Sequence, residues 1–428
     1  MGGRMTDSFP ASTATPRPPP ANVLLLRDMP EERRISMERF ADELSWGLEA
    51  HPEFRVATAT AHVSRFAARL GFQKADRYAA RFVRYPLAVR RLRADIYHII
   101  DHGYADLAAF LPAERTIVSC HDLMLLRAEE GVTGFRGRRQ SVIRFRWSTS
   151  YLRRVAQVVC LSETTKQDVL RLLRVPEERI SVVPHGVGKH FCYLGHDAAH
   201  RLRAGVPRRG RYAVLHVSTG DPYKNVRGTV QVLAALRQSG LDVTLVRVGK
   251  PLNRDERALA EALRVTGAVT ECGHVSDERL AEIYNACDVL LFPSYYEGFG
   301  WPPLEAMACG TPVVTSNCPA LNELVGAAGI TAPPDDVGAL AAAVRAVLES
   351  SELAEQLRER GLERAAGYTW ERSIAGYAQV YRTVVERTQT GSQVGTRGLP
   401  VDRQRCAEDL AAPLQGRDFS DRLREEPH

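Results

Sequence analysis

Short apolar segments alternate with amphipathic ones along most of this 428-residue chain. The apolar segments are hydrophobic throughout rather than at every second position, which is typical of parallel strands buried on both faces of a sheet. A polar stretch at 196–210 interrupts the alternation, which then restarts. We therefore predict an α/β protein with two doubly wound domains. Ligands of such sheets bind beyond the carboxyl ends of the strands, so the expected site is the cleft between the domains.

The pattern predicts strands in both halves and a set of helices between them. The expected strands are 23–26, 96–100, 116–119, 155–161 and 180–183 before the polar stretch, and 213–217, 243–248, 269–272, 289–292 and 312–316 after it. The expected helices include 37–48, 227–238, 254–264, 277–286, 304–309, 320–325 and 337–349. The predicted organisation is a disordered leader (1–22), an N-terminal domain (23–195), a linker (196–210), a C-terminal domain (211–370) and, at the end, a disordered tail (389–428).

Several classes of protein are excluded by what the sequence lacks. No apolar run approaches the roughly 18 residues of a membrane span, and the first residues have no secretory pattern, so we expect a cytoplasmic protein. The eight cysteines form no CxxC pair, and no histidine, cysteine or carboxylate cluster has metal-ligand spacing, so we expect no metal and no cofactor. A GxGxxG fingerprint is also missing, which argues against a nicotinamide or flavin enzyme.

The most informative stretch is 294–310, which follows the strand 289–292 and leads into a helix. Glu297 lies in its loop, where Gly298 and Gly300 let backbone amides approach a ligand closely. Glu305 is expected in the first helical turn, eight residues after Glu297. A carboxylate only accepts hydrogen bonds and has about four acceptor sites, which suits the hydroxyl groups of a vicinal diol.

Two further segments follow strands and so belong to the same cleft. In 218–225, Ser218 and Gly220 precede Lys224 at a helix start, where an ammonium and backbone amides together suit a phosphate. Lysine is rare in this chain, with five among 57 basic residues, so composition alone would favour an arginine at position 224. His121 closes the strand 116–119 of the first domain and is expected to face the cleft.

The motifs of residues 213–349 closely resemble the nucleotide-binding half of family 4 of the retaining glycosyltransferases, which have the GT-B fold of two facing Rossmann-like domains. The resemblance rests on Glu297-Gly-Phe-Gly with Glu305 eight residues on, on Lys224-Asn225, and on the segments beginning at Gly273 and Pro303. It is looser over the first domain and spans about 23–388. It also implies a C-terminal helix over 371–388 that crosses back to the first domain.

The resemblance implies a role for each matching residue. Glu305 would bind the ribose diol and Glu297 the hydroxyls of the donor sugar, while Lys224 would neutralise the diphosphate. The amides of Phe299 and Gly300 would lie near the sugar or the phosphate, and His121 would contact the transferred sugar. Backbone near Val275 would face the base. Many family members carry an arginine where this chain has Ser218, and Arg34 or Ser36 are the candidates to replace it.

The expected function is therefore a retaining glycosyltransferase that moves a hexose, with mannose slightly favoured, from a nucleotide-diphosphate sugar to a glycan or lipid-linked acceptor. No carboxylate of the second domain is an evident nucleophile, which favours front-face displacement, in which the leaving phosphate helps deprotonate the acceptor. Two alternatives remain open: a sugar-nucleotide-binding protein of this fold without turnover, and a sugar-nucleotide epimerase.

Charge is unequal between the two halves of the chain. Residues 1–200 carry 30 basic and 22 acidic residues, and residues 201–428 carry 27 and 29. Basic residues mix with aromatic ones at 65–93 and 136–154, a pattern that suits peripheral contact with an anionic membrane. A solvated arginine face is the alternative, and no motif supports binding to nucleic acid.

Overall fold

The computed structural model describes residues 19–32, 34–63, 72–131, 139–207 and 209–391. Two six-stranded, wholly parallel sheets form its framework, so the predicted fold class is confirmed. The order of the first sheet is β2-β1-β3-β4-β5-β6 and that of the second is β12-β11-β10-β7-β8-β9. The strands are β1 Ala21–Leu26, β2 Phe54–Ala59, β3 Ile96–Ile99, β4 Thr116–Cys120, β5 Gln157–Cys160, β6 Ile180–Val182, β7 Tyr212–Ser218, β8 Val243–Gly249, β9 Val269–Glu271, β10 Val289–Phe292, β11 Val313–Ser316 and β12 Gly329–Ala332.

The helices connect these strands and cover both faces of each sheet. Those of the first half are α1 Ile35–Glu49, α2 Gln73–Ala79, α3 Tyr85–Val89, α4 Met124–Glu129, α5 Arg139–Thr149 and α6 Glu163–Asp168. The later ones are α7 His196–Leu202, α8 Val226–Gln238, α9 Arg254–Ala262, α10 Asp277–Ala286, α11 Trp301–Ala308, α12 Pro319–Val325, α13 Val337–Glu349, α14 Ser351–Ala366 and α15 Trp370–Gly391. None of these described helices is long and apolar enough to cross a membrane.

Burial on both faces explains why the strands are continuously apolar. In β1, Val23 and Leu25 belong to one buried cluster while Leu24 and Leu26 belong to another, on the opposite side of the sheet. The second sheet repeats this arrangement in β10. Each sheet therefore separates two hydrophobic cores, which leaves the carboxyl ends of the strands as the place for a site.

Three predicted boundaries are wrong. Ala21 and Asn22 were assigned to the leader, yet they pair with Phe54 and Arg55 in β2, and the Asn22 amide donates to Asp95 at 2.8 Å. The linker 196–210 was expected to be irregular, but it contains α7, which packs on α10 of the second sheet. The first three residues of the predicted tail continue α15; the remainder of the tail, and leader residues 1–18, lie outside the described residues.

Helix α15 crosses back to the first domain and packs against α1. Gly47 of α1 permits the close approach, since a Cβ there would lie 2.4 Å from the Ile374 side chain. Tyr381 of α15 is fully buried, and its hydroxyl lies 2.7 Å from Nδ1 of His98 in β3. The two chain crossings between the domains run side by side, because Val187 forms a parallel bridge with Thr369. We call these two adjacent crossings the hinge.

Candidate functional site

Glu297 and Lys224 form a buried ion pair beyond the carboxyl ends of β10 and β7. The Lys224 ammonium lies 2.8 and 2.9 Å from the two carboxylate oxygens of Glu297. Burial by itself would lower the pKa of Lys224, but the charge and hydrogen bond of Glu297, together with Tyr223 and Asp221, raise that pKa overall, so the ammonium stays charged. Asn225 holds the turn in place: its backbone is left-handed, with φ of 54°, and its side chain caps α8 by accepting from the Gly228 amide.

Glu305 lies deeper in the second domain than the sequence predicted. Helix α11 begins at Trp301, after Gly300 with φ of 112°, so Glu305 is its fifth residue and not part of the first turn. The side chain is buried, with Oε1 2.9 Å from Nη1 of Arg39 and Oε2 accepting from the Tyr284 hydroxyl at 3.1 Å. Burial raises the pKa of Glu305, while Arg39 opposes that rise.

His121 faces the second domain across the cleft. Its Nε2 lies 2.6 Å from the Ile100 carbonyl, which can only accept, so Nε2 carries the proton in the neutral ring. Nδ1 is buried and has no hydrogen-bond partner among the described residues. Burial lowers the pKa of His121, which keeps the ring neutral. The free ring atom Nδ1 can therefore only accept a hydrogen bond.

The glycine-rich loop after β10 makes the contact between the domains. A Cβ on Gly298 would lie 1.9 Å from the His121 carbonyl oxygen, so Gly298 is needed for the domains to meet. The Gly298 carbonyl accepts from the hydroxyls of Ser162, at 2.7 Å, and Thr165, at 3.2 Å, which start α6. Gly298 thus has a packing role, and the expected approach of its amide to a ligand stays a prediction. The Phe299 side chain is also buried.

The remaining predicted donor residues border the same cleft at different depths. Ser218 ends β7 and turns inward, where its Oγ lies 2.9 Å from Nε2 of His216. Gly220, with φ of 74°, lies in the following loop beside the Lys250 side chain. Val275 lies between β9 and α10, two residues before Asp277. The structure thus places Glu297 and Lys224 in direct contact, while the Ser218 hydroxyl bonds to His216.

Two groups near the site carry no local sequence signal. Arg39 comes from α1, 266 positions before Glu305, so no spacing rule links them. A second group lies beyond β1 and β3, where the buried Asp28 is 3.8 Å from Arg34, and Arg34 also bonds to Asp101. Burial, with the nearby charge of Asp101, raises the pKa of Asp28 to about 9. Only the resemblance had drawn attention to Arg34, as a possible phosphate ligand.

Two cavities adjoin the closed cleft. One of about 760 Å³ lies on the hinge side and reaches His185, and one of about 420 Å³ lies between α6 and the loop that carries Glu297. Within the described ranges, no group of three histidine, cysteine or carboxylate side chains is placed to hold a metal ion.

Family models match both halves of the chain. A model described as "Glycosyltransferase Family 4" matches residues 37–189, and one described as "Glycosyl transferases group 1" matches residues 202–364. The chain belongs to glycosyltransferase family 4. The two models match this family 4 member in the order of its two sheets, which confirms the resemblance stated from the motifs.

Curated relatives include several mannosyltransferases. The family 4 protein is 32% identical over 234 residues to O-antigen chain mannosyltransferase B of Escherichia coli, covering 53% of this chain and 60% of the relative. It is 26% identical over 340 residues to the serotype-specific mannosyltransferase WbdA of Escherichia coli (76% and 41%). It is 31% identical over 243 residues to MMP alpha-(1->4)-mannosyltransferase of Mycolicibacterium hassiacum (55% and 56%). The chain thus spans about two fifths to three fifths of these relatives.

Solved structures share the fold at low sequence identity. The sucrose-phosphate synthase of Thermosynechococcus elongatus superposes with a TM-score of 0.68 at 21% identity, covering 86% of this chain and all of the other. Anabaena Alr3699/HepE in complex with UDP and glucose gives a TM-score of 0.65 at 17% identity, covering 85% of this chain and all of the other. These likenesses establish the two-domain fold of the family 4 protein.

Proposed function

We propose that this protein is a retaining glycosyltransferase that moves a hexose, with mannose favoured, from a nucleotide-diphosphate sugar to a hydroxyl of a glycan or lipid-linked acceptor. The observation that carries the proposal is the buried Lys224–Glu297 pair beyond β7 and β10, with His121 of the other domain packed against the next residue, Gly298. The ammonium can bind a phosphate, and the carboxylate beside it can accept a hydrogen bond from a sugar hydroxyl. Three of the relatives are named mannosyltransferases, which supports mannose.

In this mechanism the protein mainly stabilises the charge of the leaving group. The bond from the anomeric carbon to the phosphate oxygen breaks, and Lys224 neutralises the departing diphosphate. The acceptor oxygen attacks from the same face, and its proton passes to the leaving phosphate oxygen, so the products are a glycoside and a nucleoside diphosphate. Glu297 accepts from hydroxyls of the sugar, and the free Nδ1 of His121 accepts from another. We propose that no metal ion takes part and that side chains, Lys224 among them, supply the positive charge.

Nucleotide release from a panel of donors tests the proposal. The purified protein is incubated with UDP-, GDP-, ADP- and TDP-sugars, with and without glycan acceptors. We expect acceptor-dependent release from one donor and its loss in Glu297→Ala, which removes a partner of both Lys224 and the sugar. Tyr295→Phe, at the neighbouring position but bonded to Asp335, is the matched control and should keep the activity. Release from no donor, or undiminished release in Glu297→Ala, would contradict the proposal.

We further propose that the protein works in the cytoplasm, at the anionic inner face of a membrane, through a surface formed by α2 and α5. Tyr78 of α2 stacks on Phe82 at 6.0 Å, and Phe82 lies 6.3 Å from Trp147 of α5, so the two helices share one aromatic surface. Trp147 is 46% exposed and Phe72 is 65% exposed. The Arg144 guanidinium lies 5.8 Å from the ring centre of Tyr78, and its charge suits anionic head groups. Arg65, Arg69 and Arg136 of the predicted basic clusters lie outside the described residues.

Vesicle binding distinguishes this surface from a merely solvated face. We expect binding to vesicles with phosphatidylglycerol, weaker binding to neutral ones, and a decrease with salt, because salt screens exposed charges. Phe72→Ser combined with Trp147→Ser should reduce binding. Trp46→Ser removes an equally exposed ring from α1 and should not. Equal binding to neutral vesicles, or equal loss in the control, would refute the proposal.

A further inference from the structure

The phosphate site of this chain lacks a second cation at the position where the family often has one. Ser218 occupies that position, and its side chain is buried against His216 at the end of β7. His216 is itself fully buried, with Nδ1 3.0 Å from the Leu291 carbonyl, so other protein groups fill the space around Ser218. A longer, charged side chain has no place there. If the proposed function holds, the second positive charge has to come from elsewhere.

Arg34, the candidate suggested by the sequence, already forms ion pairs within its own domain. Its guanidinium bonds to Asp101, which is buried, and lies 3.8 Å from Asp28. Arg34 also lies 3.2 Å from Glu32. The carboxylates of Asp101 and Glu32 offset the charge of this guanidinium, which leaves little positive charge for a diphosphate.

Arg39 reaches the nucleotide-binding domain from the opposite side of the cleft. It extends from α1 to Glu305, with Nη1 2.9 Å from Oε1, and Asp277 lies 3.8 Å from the same nitrogen. Its guanidinium carbon lies 5.3 Å from the ring centre of Phe191 and 5.1 Å from that of Trp301. Two aromatic rings thus hold the planar group in one orientation, which reduces the entropy lost when it binds a ligand.

The contacts of this pair leave hydrogen-bonding capacity unused. Nη2 of Arg39 is buried and has no hydrogen-bond partner within the described part of the chain. Glu305 uses one oxygen for Arg39 and the other for Tyr284, although a carboxylate has about four acceptor sites. Glu305 can therefore accept from a ribose diol while it keeps both protein partners. A buried, unpartnered donor is costly, so a ligand that pairs with Nη2 gains affinity.

We propose that Arg39 is the second cation of the donor site, and that it binds the diphosphate of a nucleotide whose ribose is held by Glu305. The nucleotide then lies between Lys224 of the second domain and Arg39 of the first, so that binding also holds the domains together. This inference rests on the proposed function. It predicts a phosphate contact from α1, where the family relies on an arginine of the second domain.

Measurements of nucleotide affinity test the proposed contact between Arg39 and the diphosphate. The dissociation constants of UDP, GDP, ADP and TDP are determined by calorimetry, followed by those of the matching nucleoside. We expect Arg39→Gln to weaken the preferred diphosphate by about tenfold or more, with a smaller loss for the nucleoside and a shallower dependence on salt. Arg39→Lys should recover part of the affinity, because it restores the charge without the planar fork. Arg382→Gln breaks an Arg–Glu bridge outside the cleft, with Glu53, and should change nothing.

The alternative is that Arg39 only closes the empty site by pairing with Glu305. In that case Arg39→Gln leaves diphosphate affinity unchanged or increases it, and this result overturns the inference. An equal loss for nucleoside and diphosphate overturns it as well. Removal of Arg39 in a Glu305→Gln background separates the two roles and avoids an unpaired buried carboxylate. We expect a loss of diphosphate affinity there too. If the wild-type protein binds no nucleotide while remaining folded, the proposed function fails first, which distinguishes the two failures.

Discussion

At the scale of single residues, the candidate site contains two carboxylates that each pair with a cation. Glu297 pairs with Lys224 and Glu305 with Arg39, and both pairs are largely buried. Neither pairing could be predicted from the sequence, because the partners are 73 and 266 positions apart. The motifs did predict the carboxylates and Lys224, since their spacing within loops and helix starts is local. They missed Arg39, which looks like any other residue of an amphipathic helix.

Donor affinity should depend on pH through Glu305. Burial raises the pKa of Glu305, so this group takes up a proton at a higher pH than an exposed glutamate does. The protonated form loses acceptor sites for the ribose diol, and affinity should therefore fall as pH is lowered. Because Arg39 opposes the rise, Arg39→Gln should move the midpoint of this loss to a still higher pH. Calorimetric titration of the nucleoside diphosphate at several pH values measures both effects.

Glu305→Gln is the control for this pH dependence. It keeps the titration of the nucleotide phosphate and removes that of residue 305, so the two profiles should differ on the acidic side. Identical profiles in the two proteins would show that Glu305 does not control the affinity.

Gly298→Ala should lower the rate of glycosyl transfer. The added Cβ would meet the His121 carbonyl at 1.9 Å and push the two domains apart. A displacement of about 1 Å at reacting groups costs on the order of a hundredfold in rate, so we expect a loss of that size in steady-state transfer. Gly267→Ala is the matched control, since nothing lies within 4 Å of its Cβ position. A normal rate in Gly298→Ala would show that the observed domain contact is not needed for transfer.

At the scale of elements, the strands that the sequence missed are both at sheet edges. Phe54–Ala59 and Gly329–Ala332 form the outer strands β2 and β12. Only Phe54 and Ala59 of the first, and only Ala332 of the second, are buried, so neither strand has the continuous apolar run that marks the inner strands. Partial exposure therefore removes the signal on which the prediction depended. The inner strands lie within a few residues of their predicted positions, as do the predicted helices over the second sheet, whereas α14 was not predicted.

The crossover helix α15 should contribute to the stability of the first domain. Tyr381→Phe removes the hydroxyl that lies 2.7 Å from Nδ1 of His98, and it leaves that buried ring nitrogen unpaired. We expect a loss of about 1–3 kcal/mol in the free energy of unfolding, measured by urea denaturation. Tyr295→Phe, whose hydroxyl bonds to Asp335 near the surface, should cost less. An equal cost in the two variants would contradict a structural role for the α15 contact.

At the scale of the whole molecule, two parallel sheets face each other and the chain crosses between them twice. The predicted division into two domains follows from the polar stretch at 196–210, although that stretch forms α7 rather than a loop. How the domains meet could not be predicted, because Gly298, His121 and Ser162 come from separate parts of the chain. Charged residues of both halves meet at the cleft, with Lys224 on one side of it and Arg39 on the other.

The anomeric configuration of the product tests the central claim most directly. The protein is incubated with the preferred donor, such as an α-linked GDP-mannose, and an acceptor glycan, and the product is examined by proton NMR while the nucleotide is quantified. Front-face transfer in this cleft predicts an α-linked glycoside and one nucleoside diphosphate for each sugar transferred. A β-linked product, or a product formed without release of the diphosphate, would contradict the account.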